Sequence, residues 1–186
     1  MARGVLRRVN VVGTSGSGKT MFSRKLAEGL GVACIEMDAL FWGKNWEWPG
    51  DEEFFPQLEA ALEQDRWVLD GNYGRTTAIK WRNVDTVIWL DFSFSRTMYQ
   101  VTKRAMVRSL TRRELWPGTG NKESFRRAIF SRESIIRWAF KTYRGNRRRY
   151  TAARADDTYA HINFIRLKSP KECTAYLNGL RRSGHA

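Results

Sequence analysis

The sequence predicts an α/β fold, a five-stranded parallel sheet with helices on both faces. Three observations carry that prediction. The apolar run Val9-Asn10-Val11-Val12 leads directly into "GTSGSGKT", Gly13 to Thr20, and an amphipathic stretch follows, which is the strand, loop and helix order of a phosphate-binding unit. Four more β-rich runs recur along the chain with helical periodicity between them, a rhythm that suits crossover connections. Three of those runs end in aspartates, Asp38, Asp70 and Asp91, and ligands bind at the carboxyl ends of parallel strands.

The elements follow in order. After the loop, "KTMFSRKLAEGLG" puts Phe22, Leu26 and Leu30 on one helical face, with Gly29 or Gly31 to close it. "VACIEMD" reads as a buried second strand ending at Asp38. "DEEFFPQLEAALEQD" is an amphipathic helix with Phe54, Phe55, Leu58, Ala61 and Leu62 inward. "RWVLDG" is the third strand, and a short segment from Thr76 to Arg82 leads into the fourth, "VDTVIWLD". A long helix is expected from about Phe94 to Arg112. "ELWPGTGNKES", with Pro117, Gly118 and Gly120, is a turn or mobile tip. A second long helix carries Phe125, Ile129, Ile136, Phe140 and Tyr143 at helical spacing and stops at Gly145. Asn146 then caps a third, short helix that begins with Arg147-Arg148-Arg149. "HINFIRL" is the last strand. "SPKECTAYLNGL" is the last helix, with Ser169 at N-cap, Pro170 at N1 and Glu172 at N3.

At 186 residues the chain, 1–186, is expected to form one domain with a real core. The first apolar stretch is short and broken by Asn10, so it reads as a strand and not as a signal sequence. No apolar run reaches membrane-spanning length. Cys34 and Cys173 have no ligand spacing to each other or to His161 and His185, which predicts free buried thiols in a cytoplasmic protein. The net charge of +14 is unevenly placed: residues 1–94 hold 11 Lys/Arg against 13 Asp/Glu, and residues 95–186 hold 22 against 6. Such asymmetry points to a polyanionic partner, either a nucleotide held between parts of the protein or a nucleic acid lying on one face.

The loop itself has specific chemistry. Its glycines, Gly13, Gly16 and Gly18, let backbone N–H groups from Ser15 to Thr20 converge on phosphate oxygens, Ser17 among them. Lys19 reaches the outer phosphates of ATP, and the Thr20 hydroxyl can ligate Mg²⁺.

"GTSGSGKT", "MDALFW", "LDGNYGRT", "VDTVIWLD" and "RAMVR" together resemble, in order, the adenylate-kinase-like P-loop kinases within the P-loop NTPase class, and among them the DNA-topology-modulation proteins. The resemblance implies an ATP-dependent phosphotransferase, with an acceptor-binding segment at about 38–65 and a helical, arginine-rich lid at about 104–150. It makes Asp70 the aspartate that holds Mg²⁺ through water, and Arg75 an arginine that grips phosphate. This chain has Asn72-Tyr73-Gly74 where nucleotide kinases commonly have Phe-Pro before that arginine. Arg104 and Arg108 lie four apart, and Arg112 continues their stripe. By resemblance, Arg104 packs against the ATP base, and the others stabilise the transferring phosphoryl group.

The acceptor is less determined. Asp38 is placed to act as a general base for a hydroxyl acceptor, whereas Arg75 suits an acceptor that already carries phosphate. Trp42, Trp46 and Trp48 lie close together, either as a stacking surface for a nucleobase or as satellite core under a loop. The expected acceptor is a small molecule, a nucleotide or nucleoside-like compound, handled by a monomer or homodimer without membrane contact. The alternative is an ATP-dependent nucleic-acid-binding protein, because Arg96 to Arg149 holds 16 basic and 3 acidic residues, with Arg147-Arg148-Arg149 beside Tyr143 and Tyr150.

Overall fold

A computed structural model describes residues 6–43, 47–48, 50–111 and 134–182. Five parallel strands form one sheet: β1 (Arg8–Gly13), β2 (Ala33–Glu36), β3 (Trp67–Asp70), β4 (Thr86–Leu90) and β5 (Asn163–Leu167), in the order β2-β3-β1-β4-β5. The helices are α1 (Lys19–Leu30), α2 (Met37–Phe41), α3 (Asp51–Ala61), α4 (Thr77–Lys80), α5 (Phe94–Thr111), α6 (Ile135–Ala155) and α7 (Pro170–Arg182).

Alternation along the strands divides the core into two layers. Val9, Val11, Val68, Ile88 and Leu90 face α1 and α7, where Phe22, Leu26, Leu30, Cys173 and Leu180 meet them. Val12, Trp67, Leu69, Val87 and Trp89 face the other way, toward Phe54 and Leu58 of α3, Trp81, and Tyr150 and Ala153 of α6. Burying each such side chain is worth roughly 1.5–3 kcal/mol. Asn10, wholly buried in β1, donates from Nδ2 to the carbonyls of Leu69 and Gly71 and accepts the Trp81 indole N–H at 2.9 Å. A polar residue inside a sheet is tolerated because every one of its groups is met.

Several local expectations are corrected. The second strand stops at Glu36, half-buried at the sheet edge, and Asp38 lies in the first turn of α2. Gly145 does not end a helix: α6 runs unbroken through it, and Asn146, instead of capping, accepts from the Arg149 guanidinium at 3.4 Å. Phe140 is 62% exposed, although its ring meets Phe94 edge-on. Cys34 is only half-buried, unlike Cys173. The expected tip at 114–124, Phe125 and Ile129, with most of the central part of the expected lid, lie outside the described residues. The last helix begins as read, with Glu172 N–H donating to Ser169 Oγ and Glu172 Oε2 accepting the Lys168 N–H.

Candidate active site

The loop between β1 and α1 is built around close approaches. A Cβ on Gly13 would lie 2.6 Å from the Leu90 carbonyl oxygen of β4, so no side chain fits there. Gly16, at φ +88°, lies under α5, where an added Cβ would meet Val101 Cβ at 2.7 Å. The Ser17 N–H donates to the Thr14 carbonyl at 3.0 Å and closes the turn, and Gly18 sits at the N-cap of α1. The N-terminus of α1, a site favourable to anions, therefore opens from the end of the loop.

Lys19 and Thr20 begin that helix. Lys19 Nζ folds back onto the Thr14 carbonyl at 3.3 Å. Burial lowers the Lys19 ammonium from its ordinary range; Asp70 and Asp38 oppose the shift, and Arg104 adds to it. Asp70, Asp38 and Arg104 of α5 thus all act electrostatically on Lys19. Thr20 Oγ1 donates to Asp70 Oδ2 at 2.6 Å. The other oxygen, Asp70 Oδ1, is buried and has no hydrogen-bond partner among the described residues. Burial raises the Asp70 carboxyl, while Lys19 and the Thr20 hydroxyl pull it down. A buried, open carboxylate oxygen beside a hydroxyl is a hard-oxygen set that fits Mg²⁺, which takes few protein ligands and completes its shell with phosphate and water. Thr20 and Asp70 are therefore residues that could hold the ion.

The third strand-end carboxylate does not join them. Asp91, 7% exposed, is bound by Arg166 of β5 and by Arg147 of α6, the latter at 3.3 Å, and it ties those elements to β4. The expected gathering of several carboxylates in one crevice reduces to Asp70 and Asp38.

On the acceptor side, Asp38 is exposed and accepts the Tyr73 hydroxyl at 2.7 Å. Burial, with Asp38 beside it, pushes the Tyr73 phenol above its ordinary range, so it remains a donor. Arg75 pairs with Asp51 at 3.1 Å, and its guanidinium lies over Phe41 at 5.3 Å and Trp48 at 4.8 Å. Phe41 gathers Trp42, Trp48, Phe54 and Tyr73 around it at ring-centroid separations of 4.7–6.0 Å. Phe41 thus anchors a satellite core, and Trp48 at its edge is 51% exposed. Trp46 lies outside the described residues. Arg108 continues α5 one turn beyond Arg104, with its side chain outside the described set, and Arg112 lies outside the described residues altogether.

Sequence reasoning gave Lys80 no role, set Arg149 and Tyr150 toward nucleic acid, and noted Asn72 only as a departure from the family pattern. Asn72 Oδ1 accepts the Gly13 N–H at 2.9 Å, and its Nδ2 donates to the Gly13 carbonyl. Tyr150 donates to the same Oδ1 at 2.9 Å, and Arg149 donates to the Tyr150 hydroxyl at 2.6 Å. Lys80 Nζ holds the carbonyls of Asn72 and Tyr73. The one sequence signal for this group was the departure Asn72-Tyr73-Gly74 itself.

No family model matches the chain, and no curated protein matches it either. Solved structures do. A gluconokinase from Sinorhizobium meliloti 1021 aligns at a TM-score of 0.50 and 18% identity, covering 97% of this chain and 97% of that one. A shikimate kinase from Acinetobacter baumannii, in complex with shikimate, aligns at a TM-score of 0.52 and 16% identity, covering 96% of this chain and 92% of that one. Over nearly its whole length, then, the chain has the α/β fold of the P-loop kinases.

Proposed function

We propose that the chain is an ATP- and Mg²⁺-dependent phosphotransferase acting on a hydroxyl group of a small, planar, nucleoside-like molecule. One observation carries the reading: the Lys19 ammonium feels two carboxylates with different partners, Asp70 bonded to Thr20 and Asp38 bonded to Tyr73. In the reaction, the acceptor oxygen forms a bond to the γ-phosphorus as the bond to the bridging oxygen breaks and ADP leaves. The acceptor proton passes to Asp38, which Tyr73 holds in place. Lys19 supplies positive charge where negative charge builds on the transferring group, and Arg104 is positioned near it to add more. Bound Mg²⁺, held by Thr20 and Asp70, would offset charge on the phosphates.

The aromatic wall of Phe41 and Trp48 suits a planar acceptor, and Arg75 already has Asp51 as its counter-ion, which favours an uncharged acceptor over a phosphate. The likeness in fold to a gluconokinase and a shikimate kinase supports a small-molecule acceptor. A second reading, ATP-dependent binding of nucleic acid as in DNA-topology modulation, draws support from the outer face of α6. There Arg137, Lys141, Arg144 and Arg148 are exposed at helical spacing on a helix with no acidic residue. For either reading a cytoplasmic protein is expected, and among the described residues no helix is long and apolar enough to cross a membrane.

A transfer screen with labelled ATP across nucleosides, hydroxylated metabolites, nucleoside monophosphates and 5′-hydroxyl oligonucleotides tests the proposal. Label is expected on a small hydroxylated acceptor, and Asp38→Asn should lower that turnover by about two orders of magnitude or more. Transfer confined to monophosphates, with Asp38→Asn near wild type, would overturn the hydroxyl chemistry. Transfer to oligonucleotides alone would favour the second reading.

A further inference from the structure

The cradle's first glycine is held in an unusual way. Backbone pairing between β1 and β3 ends early: the register closes at Val11 opposite Asp70, and the Gly71 N–H makes a last bond to the Val11 carbonyl at 3.3 Å. Two residues on, Gly13 still pairs with Leu90 of β4 on one side. On its other side a strand is missing. The Asn72 side chain takes that strand's place, presenting an acceptor to the Gly13 N–H and a donor to the Gly13 carbonyl, as a neighbouring backbone would. Only one orientation of the amide satisfies both groups, and the Tyr150 hydroxyl fixes it by donating to the same Oδ1.

The chain of contacts runs further. Tyr150, 1% exposed, packs its ring near Trp89 of β4 and accepts the Arg149 guanidinium on its hydroxyl. Burial pushes the Tyr150 phenol up to about 12, against the pull of Arg149, so the hydroxyl keeps the proton it donates. Arg149 also reaches the Asn72 carbonyl at 3.4 Å, which Lys80 holds from the other side at 2.8 Å. Every polar atom of Asn72 that can turn is thereby committed, and the commitment comes from α6, some eighty residues along the chain.

From this geometry we infer that Asn72 is a positioning residue for the donor phosphates, set by α6 through Arg149 and Tyr150. It touches neither phosphate nor acceptor. It fixes where the cradle begins, and therefore where the N–H groups after Gly13 converge. Displacement of α6 is transmitted to Gly13 through one hydroxyl and one amide. The role in nucleotide affinity rests on the ATP reading proposed above, whereas the mechanical link does not.

Two variants test it. Asn72→Ala removes both bonds to Gly13, and Tyr150→Phe removes one hydroxyl while keeping the ring against Trp89. Hydrogen exchange of the unliganded protein should speed up at Gly13 and Thr14 in both variants, with the amides of β5 unchanged. Calorimetric titration with a non-hydrolysable ATP analogue should show affinity falling about tenfold for Asn72→Ala and a few-fold for Tyr150→Phe. The KM for the acceptor should stay within about twofold. A purely structural role would lower the melting temperature of both variants yet leave analogue affinity and Gly13 exchange at wild-type values, and that result overturns the inference. A wild type that bound no analogue would instead overturn the ATP reading and the affinity role with it, and the exchange data would still decide the link to α6.

Discussion

Lys80 is 1% exposed, and its partners among the described residues are the carbonyls of Asn72 and Tyr73, not a carboxylate. Burial, with Arg149 adding repulsion, drives its ammonium well below the ordinary 10.5. The sign of the consequence follows from linkage: between the lowered folded value and 10.5 the unfolded chain binds the extra proton, so stability rises with pH across that window. Urea unfolding of the wild type and of Lys80→Met at a series of pH values should show this rise in the wild type and a weaker one in the variant; parallel curves would refute it. At this scale the sequence was legible where a motif fixes spacing. Lys19, Thr20 and the glycines of the loop lie within eight residues, and each has a chemical duty that its type announces. Asp70 was readable as a strand-end carboxylate. Asn72 and Lys80 were not, because their partners are backbone groups brought near by the sheet, and such contacts leave no pattern in a string of residues. Asp91 misled for the reverse reason, since Arg147 and Arg166 that claim it are distant in sequence.

Helix α5 approaches the cradle at Val101, which lies against Gly16. Gly16→Ala places a methyl group 2.7 Å from Val101 Cβ at a φ of +88°, so α5 must lift or the loop must shift. Turnover and ATP-analogue affinity are each expected to fall about tenfold or more, from displacement added to a backbone strain of roughly 1–2 kcal/mol. Val101→Gly in the same chain removes that Cβ and should restore part of the loss; steady-state kinetics showing no recovery in the double variant would remove the contact from the explanation. Elements with strong periodicity were readable in advance, α1 by Phe22, Leu26 and Leu30 and α5 from its first residue, Phe94. Helix α6 was not, because glycine was taken as a stop. A mid-helix glycine costs only about 1 kcal/mol, and burial of Tyr143 and Tyr150 on either side of Gly145 outweighs it. The second strand was read two residues too long because Met37 is buried like a strand residue while belonging to α2.

Across the whole molecule, charge and topology divide along similar lines. Acidic residues concentrate before Phe94, and the exposed Arg137, Lys141, Arg144 and Arg148 of α6 stand on the other side of the chain's midpoint. Weak, sequence-independent binding of single-stranded oligonucleotides is therefore expected at low salt. With four such contacts the logarithm of the affinity should fall with the logarithm of salt at a slope of about −3, so that little remains at physiological salt. Fluorescence anisotropy over a salt series measures this, and tight binding that survives at physiological salt would count for the nucleic-acid reading. The parallel sheet and its two helical layers were legible from alternation and rhythm, but the strand order was not, since nothing local says that β1 is central. That order has an evolutionary consequence. Asp38, Tyr73 and Arg75 all come from connections after β2 and β3, which form one margin of the sheet, while the cradle rises from the middle. On the acceptor reading proposed above, selection can rebuild that margin around Asn72, which must stay to hold Gly13, and leave the rest of the machinery that handles the donor inherited intact.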